Sequence, residues 1–201
     1  MNLIKYQIII IGTSAGGFKA LHTLLPLFGK KFRLPIVVVQ HRKPVDDSYL
    51  IQSWGKSSRL LVKDALEGML PTKGKVYVAP ANHHLIFNQD GSFGLISSPP
   101  VNYSRPSIDV TMKSAAEVFG DGVIGVILTG ASRDGAEGML KIRLAGGLTI
   151  AQKPEEAEID LMPRSAMDLG AVDFVLTLSK IPDFLTNMLF DSRLISTQEF
   201  D

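Results

Sequence analysis

The 201-residue sequence contains no cysteine. Without thiols there is no disulfide framework, no thiolate nucleophile and no cysteine metal knuckle. That absence fits a reducing cytosol, and the chain is read as cytoplasmic. Excess charge is missing too: 21 Lys and Arg stand against 20 Asp and Glu, for a net charge of +1. No basic field is available to attract nucleic acid. No apolar run approaches the roughly 18–20 residues of a membrane helix, so membrane insertion is not expected. The opening Met1-Asn-Leu-Ile-Lys-Tyr6 is too short, and turns strand-like too soon, for a signal peptide. There is no internal repeat, low-complexity tract or linker. The length suits one sizeable domain or two very small ones. A domain of this size buries about 70% of its unfolded surface and needs no covalent staples.

What is present is an alternation of apolar strands and amphipathic helices. Residues 7–12, 36–40, 123–128, 148–152 and 174–176 are apolar without alternation, as strands of a parallel sheet covered on both faces should be. Helices are expected over 17–27, 107–119, 135–144 and 181–189. Ser107 is placed to cap the second of these, with Asp109 in its first turn. Met139 and Leu140 point inward on the third, which stops at Ala145-Gly-Gly147. The fold class is therefore α/β: a doubly wound, mostly parallel, Rossmann-like three-layer sheet with right-handed crossovers. Short strands at 75–79, 84–88 and 93–97, with a Gln89-Asp-Gly-Ser92 turn between the last two, predict an antiparallel hairpin extending one edge. The Pro-, Ser- and Asn-rich stretch 97–106 is either an ordered functional loop or a flexible one.

The first strand runs into Gly12-Thr-Ser-Ala-Gly-Gly17. A dinucleotide cradle would need glycine where Ser14 stands, and a phosphate loop would need Gly-Lys-Ser/Thr. The spacing Gly12-x-Ser14-x-Gly16 instead matches a nucleophile elbow, in which small neighbours expose a hydroxyl beside a helix N-terminus. A plain tight turn has the same composition. A serine nucleophile needs a base. Of the histidines, His22 falls on a helix. His83 and His84 are adjacent on a strand and so face opposite ways, which suits structure better than metal binding. His41 directly follows the second parallel strand, at the sheet edge where open α/β sheets bind ligands. Asp134 follows another buried strand in a glycine-bracketed loop; it is either a helix cap or the carboxylate that orients the imidazole. Ser14, His41 and Asp134 together favour catalysis.

The motifs Gly12-Thr-Ser-Ala-Gly-Gly17, Val39-Gln-His41, Pro99-Pro-Val-Asn102 with Arg105-Pro-Ser-Ile-Asp109, Leu128-Thr-Gly130 with Asp134-Gly-Ala136, and Met162-Pro-Arg164 occur in one order along residues 5–180. In this they resemble the protein-glutamate methylesterases of bacterial chemotaxis, the CheB family. The resemblance implies a Ser–His–Asp triad. Ser14 would be the nucleophile, His41 the general base and then acid, and Asp134 the orienting carboxylate. It places the oxyanion and pocket near Ala15, Gly16 and Ala131, and requires no metal or organic cofactor. The implied substrates are methylated glutamates on chemoreceptor cytoplasmic helices, with glutamine deamidation as a further activity. A separate regulatory receiver or a methyltransferase protein would be a further partner.

The sequence departs from the family pattern at Ala15 (often threonine), at Ala131 (commonly methionine), at Arg42-Lys-Pro44 and at Glu158-Ile-Asp160. It also starts six residues before the first strand, where the family commonly has a receiver domain; a single stand-alone catalytic domain, or a fragment, is expected. Arg42, Lys43, Arg105 and Arg133 form either a basic rim that steers an acidic receptor helix or simply solvated loop charge. Three alternatives stay open: a serine esterase or amidase with another substrate, a silent binding module of the same fold, and, more distantly, a nucleotide-binding module.

Overall fold

A computed structural model describes residues 5–42 and 48–190. In chain order the elements are β1 (Ile8–Thr13), α1 (Gly17–Leu24), β2 (Ile36–Gln40), α2 (Ser48–Ser57), β3 (Leu61–Asp64), β4 (Lys75–Val78), β5 (His84–Phe87), β6 (Phe93–Ile96) and α3 (Ile108–Phe119). They continue with β7 (Val123–Ile127), α4 (Ala136–Leu144), β8 (Leu148–Gln152), α5 (Leu161–Asp168), β9 (Phe174–Leu176) and α6 (Lys180–Phe190). Seven strands form one parallel sheet in the order β3-β4-β2-β1-β7-β8-β9. The chain winds outward from β1 through β2, then returns to its other side with β7. This places the topological switch point at the C-terminal end of β1, where such sheets bind ligands.

The four isoleucines of β1 are wholly buried and alternate between two cores. Ile8 and Ile10 pack with Met112 of α3, Met139 of α4 and Met162 of α5. Ile9 and Ile11 pack with Leu21 of α1, Trp54 of α2 and Leu185 of α6. Each such burial is worth about 1.5–3 kcal/mol, which explains why the central strands carry no polar face.

The α/β class and the five core strands appear where the apolar runs place them, with ends shifted by a residue at most. The middle of the chain differs from expectation. Residues 75–78 are a parallel strand inside the main sheet, with Val76 and Val78 in one core and Tyr77 in the other. The β5–β6 hairpin does not extend the sheet edge; it is a separate two-stranded sheet. Leu85, Phe87 and Phe93 press it against the α3 side of the core, with Phe93 edge-on to Tyr77 at 5.1 Å. Its apolar face is satisfied by a layer of side chains rather than by backbone pairing. The elements α2, β3 and α5 have no clear signal: β3 is a short edge strand in which only Val62 is buried, and α5 carries Pro163 in its first turn.

Gly12 is required by close approach. A Cβ there would lie 2.4 Å from Cγ2 of Ile108, the first residue of α3. Gly12→Ala is expected to cost about 1–3 kcal/mol through overpacking of β1 against α3, read as a lowered urea midpoint.

Candidate active site

The ends of β2, β1 and β7 lie side by side and release three loops at one edge. Ser14 follows β1, His41 follows β2 and Asp134 lies between β7 and α4. A lattice of buried polar side chains ties these ends together. Ser14 donates its backbone N–H to Thr129 O at 3.0 Å, and His41 N–H goes to Thr13 O at 3.0 Å. Gln40 Nε2 donates to Ser14 O at 2.8 Å, Thr13 Oγ1 to Thr129 O at 2.8 Å, and Thr129 N–H to Gln152 Oε1 at 2.9 Å. Gly130 completes the turn, since a Cβ there would come 2.9 Å from Ser14 Cβ.

Asp134 is fully buried and collects donors from three parts of the chain. Oδ2 accepts from His41 Nε2 at 2.6 Å and from Ile108 N–H at 2.7 Å. Oδ1 accepts from Ser107 Oγ at 2.8 Å, Asn102 Nδ2 at 3.1 Å and Asp109 N–H at 3.2 Å. The N-terminus of α3 is thus turned onto this carboxylate, a favourable place for a negative charge. Burial raises the Asp134 pKa, but the hydrogen bonds from His41, Asn102 and Ile108 outweigh it and leave the group below the usual carboxylate range. An ionised carboxylate only accepts hydrogen bonds, so His41 Nε2 carries a proton, and in the neutral imidazole Nδ1 is the acceptor. Nδ1 takes the hydroxyl of Ser104 at 3.1 Å. Ser14 Oγ has no hydrogen bond among the described residues.

A second carboxylate stands behind the first. Asp109 Oδ1 accepts from Gly138 N–H at 2.7 Å and Gly135 N–H at 2.9 Å. Its Oδ2 accepts from the same Asn102 amide, at 2.9 Å, that reaches Asp134. Burial pushes the Asp109 carboxyl up to about 6, the two glycine amides and Lys113 opposing it and the negative Asp134 adding to it.

Ser14, Ala15, His41, Arg42, Tyr103 and Arg105 line one open cavity of about 630 Å³. The backbone N–H groups of Ala15 and Ala131 have no acceptor among the described residues. Ala131 is exposed and does not line this cavity, and Gly16, at φ 79, faces another groove with Glu158. Of the four residues read as either a basic rim or solvated loop charge, Arg42 and Arg105 line the cavity with Ser14 and His41. Arg42 Nη2 donates to Ala79 O at 2.6 Å, and Arg105 clamps its own loop through Ser97 O and Ser98 O. Arg133 opens onto a different cavity, with Asp109 and Arg164. Lys43 lies outside the described residues.

Of the other histidines, His84 is a buried bracket: Nδ1 accepts from Ser107 N–H at 3.1 Å, so Nε2 donates to Pro99 O at 3.1 Å. Among the described residues no cluster of three His, Asp or Glu is placed to hold a metal. No described helix is long and apolar enough to cross a membrane.

A family model for the CheB methylesterase matches residues 9–185. The chain belongs to the CheB methylesterase family. The solved catalytic domain of Thermotoga maritima CheB methylesterase superposes with a TM-score of 0.88 at 38% identity, covering 91% of this chain and 98% of that one. A Leptospira interrogans relative is 45% identical over 184 residues, with 92% of this chain and 95% of that relative covered. A T. maritima protein-glutamate methylesterase/protein-glutamine glutaminase is 38% identical over 186 residues, which cover 91% of this chain and 54% of that protein. This CheB-family chain therefore matches nearly all of one relative and about half of another.

Gln40, Asn102, Ser107 and Asp109 lie within the motifs that carry the CheB resemblance, but none is among the expected site residues; Ser104 lies outside those motifs. The irregular 97–106 stretch that contains Asn102 and Ser104 is an ordered loop, held by side-chain bonds at both ends.

The raised Asp109 pKa has a definite sign. The folded chain keeps a proton here between about pH 4 and 6 that the unfolded chain has lost, so this group favours the folded state at low pH, and its contribution fades as pH rises through about 6. The stability of the native chain relative to Asp109→Ala is expected to grow by on the order of 2–3 kcal/mol between pH 7 and 4, measured by urea denaturation.

Proposed function

We propose that this chain is a serine hydrolase that removes methyl esters from glutamate side chains of chemoreceptors, with Ser14 as nucleophile. The observation that carries the reading is His41. One ring nitrogen is held by a buried, ionised carboxylate, and the other opens into a cavity beside a strand-end serine at a helix start.

The chemistry follows from that tautomer. A substrate carbonyl entering the cavity brings Ser14 Oγ into the place of Ser104 at His41 Nδ1. Ser14 attacks the ester carbon as its proton passes to Nδ1. The imidazolium that forms gains a charge directly against Asp134, whose negative charge is already in place. The carbonyl oxygen, now negative, takes the Ala15 amide and the Ala131 amide as donors; one such donor is worth about 10²–10³ in rate. Neither donor depends on its side chain, so alanine at these positions is compatible with turnover. Collapse expels methoxide, which takes the proton from His41 and leaves as methanol. A water then gives one proton to Nδ1 as its oxygen bonds to the acyl carbon; the Ser14 oxygen leaves, takes that proton from His41, and the glutamic acid released loses its own proton to solvent. A glutamine side chain would follow the same course with ammonia as the leaving group, in keeping with the glutaminase in the T. maritima relative's name. No cofactor enters any step.

The test is methanol release from a methylated receptor fragment. Ser14→Ala is expected to lower kcat by about 10⁴-fold or more. Intact-mass labelling by a fluorophosphonate should add one probe to the native chain, and His41→Ala should abolish it. Undiminished methanol release by Ser14→Ala would reject the proposal. Absence of labelling in the native chain would favour a silent binding module, and preference for small p-nitrophenyl esters would favour another esterase substrate.

A further inference from the structure

Tyr103 contributes nothing visible to its own fold. Its relative exposure is 105%, the largest among the exposed apolar residues of the described chain. It also occupies a backbone conformation that disfavours it. Asn102 at φ 50 and Tyr103 at φ 62 are both left-handed. They form the two-residue tip of a small hairpin closed by Val101 N–H to Ser104 O at 3.1 Å and Ser104 N–H to Val101 O at 2.9 Å. Such a tip demands positive φ at both positions and favours Asn followed by Gly. Asn102 meets that demand, whereas a bulky aromatic in the second position is strained. Strain of this kind persists where the surroundings impose it, and it clusters at functional sites.

The surroundings here are the proposed catalytic groups. Asn102 is tied to Asp134 and Asp109, Ser104 to His41, and Arg105 to Ser97 and Ser98. The tip therefore cannot drift, and its ring stands on the wall of the cavity that holds Ser14 and His41. An ester methyl group is too small to need an anchor at the outer lip of an open 630 Å³ cavity. A side chain projecting from a protein helix brings a broad surface with it, and an exposed aromatic on an anchored turn beside the cleft is suited to press on that surface. Tyrosine supplies large contact area at low entropic cost.

We propose that Tyr103 is a specificity-determining residue that anchors the protein carrying the ester, outside the reacting groups themselves. The inference rests on the hydrolase reading above and deepens it by naming the residue that would meet the receptor surface around the ester. It also gives a reason for the strained backbone, because glycine would be the better residue for the turn and would leave nothing to touch the partner.

The experiment compares native chain with Tyr103→Gly on two substrates, a methylated receptor cytoplasmic fragment and p-nitrophenyl acetate. Melting temperature and fluorophosphonate labelling are measured alongside. Tyr103→Gly is expected to lower kcat/KM on the receptor fragment by about 10-fold or more, through KM, with kcat retained. Turnover of the small ester and the labelling rate should stay within about twofold, and the melting temperature should hold or rise because the turn is relieved. Tyr103→Phe should keep receptor activity, since the ring makes the contact. Equal losses on both substrates, or a lowered melting temperature, would assign Tyr103 to the integrity of the loop and overturn the inference. Unchanged receptor kinetics in Tyr103→Gly would also overturn it while leaving the hydrolase reading intact. A native chain inactive on both substrates and unlabelled would remove both.

Discussion

Asp134 is a negative charge with no access to water, and the site is arranged around that fact. A buried carboxylate without partners is untenable, so the chain must bring donors to it. They come from the end of β2, from the 97–106 loop and from the first turn of α3. Satisfying this one group fixes the tilt of the His41 ring, the entry of α3 and the position of the Asn102 side chain together. The same bonds that hold the fold at this edge also select the imidazole tautomer. Stability and chemistry are not separate demands here: loosening the base would also expose an unpaired buried charge.

The parallel sheet supplies what this arrangement cannot. Strand ends in register, with Thr13, Gln40, Thr129 and Gln152 bonded across them, set the Ser14 turn against the His41 backbone. Ser104 occupies His41 Nδ1 in this structure, and Ser14 lines the same cavity. The outer hairpin with Tyr103 is bonded into the same group of residues, which joins the surface a protein partner would meet to the base it would use.

Much of this was legible from the residues. Uninterrupted β-branched runs named the central strands, because burial on both faces leaves no polar alternation. The small-residue turn after the first strand and the chemistry-bearing residues after three strands named Ser14, His41 and Asp134, because open α/β sheets place their strand ends together. Other features had no local signal. A strand at 75–79 is legible, but its place inside the parallel sheet, between β3 and β2, comes from strand order and not composition. The hairpin pattern was right for β5 and β6, but whether a hairpin pairs with a sheet or packs on it depends on what lies beneath. Asp109 reads as an ordinary acidic residue in a first helical turn; its pKa is raised by burial, with the negative Asp134 adding to the rise against the lowering amides of Gly138 and Gly135, and that environment exists only once these segments fold together. Which of the basic residues share a cavity was not legible either: Arg42 and Arg105 line the one with Ser14 and His41, whereas Arg133 lines another with Asp109 and Arg164.

By itself the sequence determined the layer architecture, the sheet edge that carries the chemistry and the kinds of groups gathered there, because periodicity and strand-end position are local properties of the chain. Only the tertiary structure decided which nitrogen of His41 is free, which hydroxyl holds it, how a second carboxylate shares the Asn102 amide and where Tyr103 stands. Those depend on distances between segments as far apart as residues 41, 104 and 134, and such distances are created by packing alone.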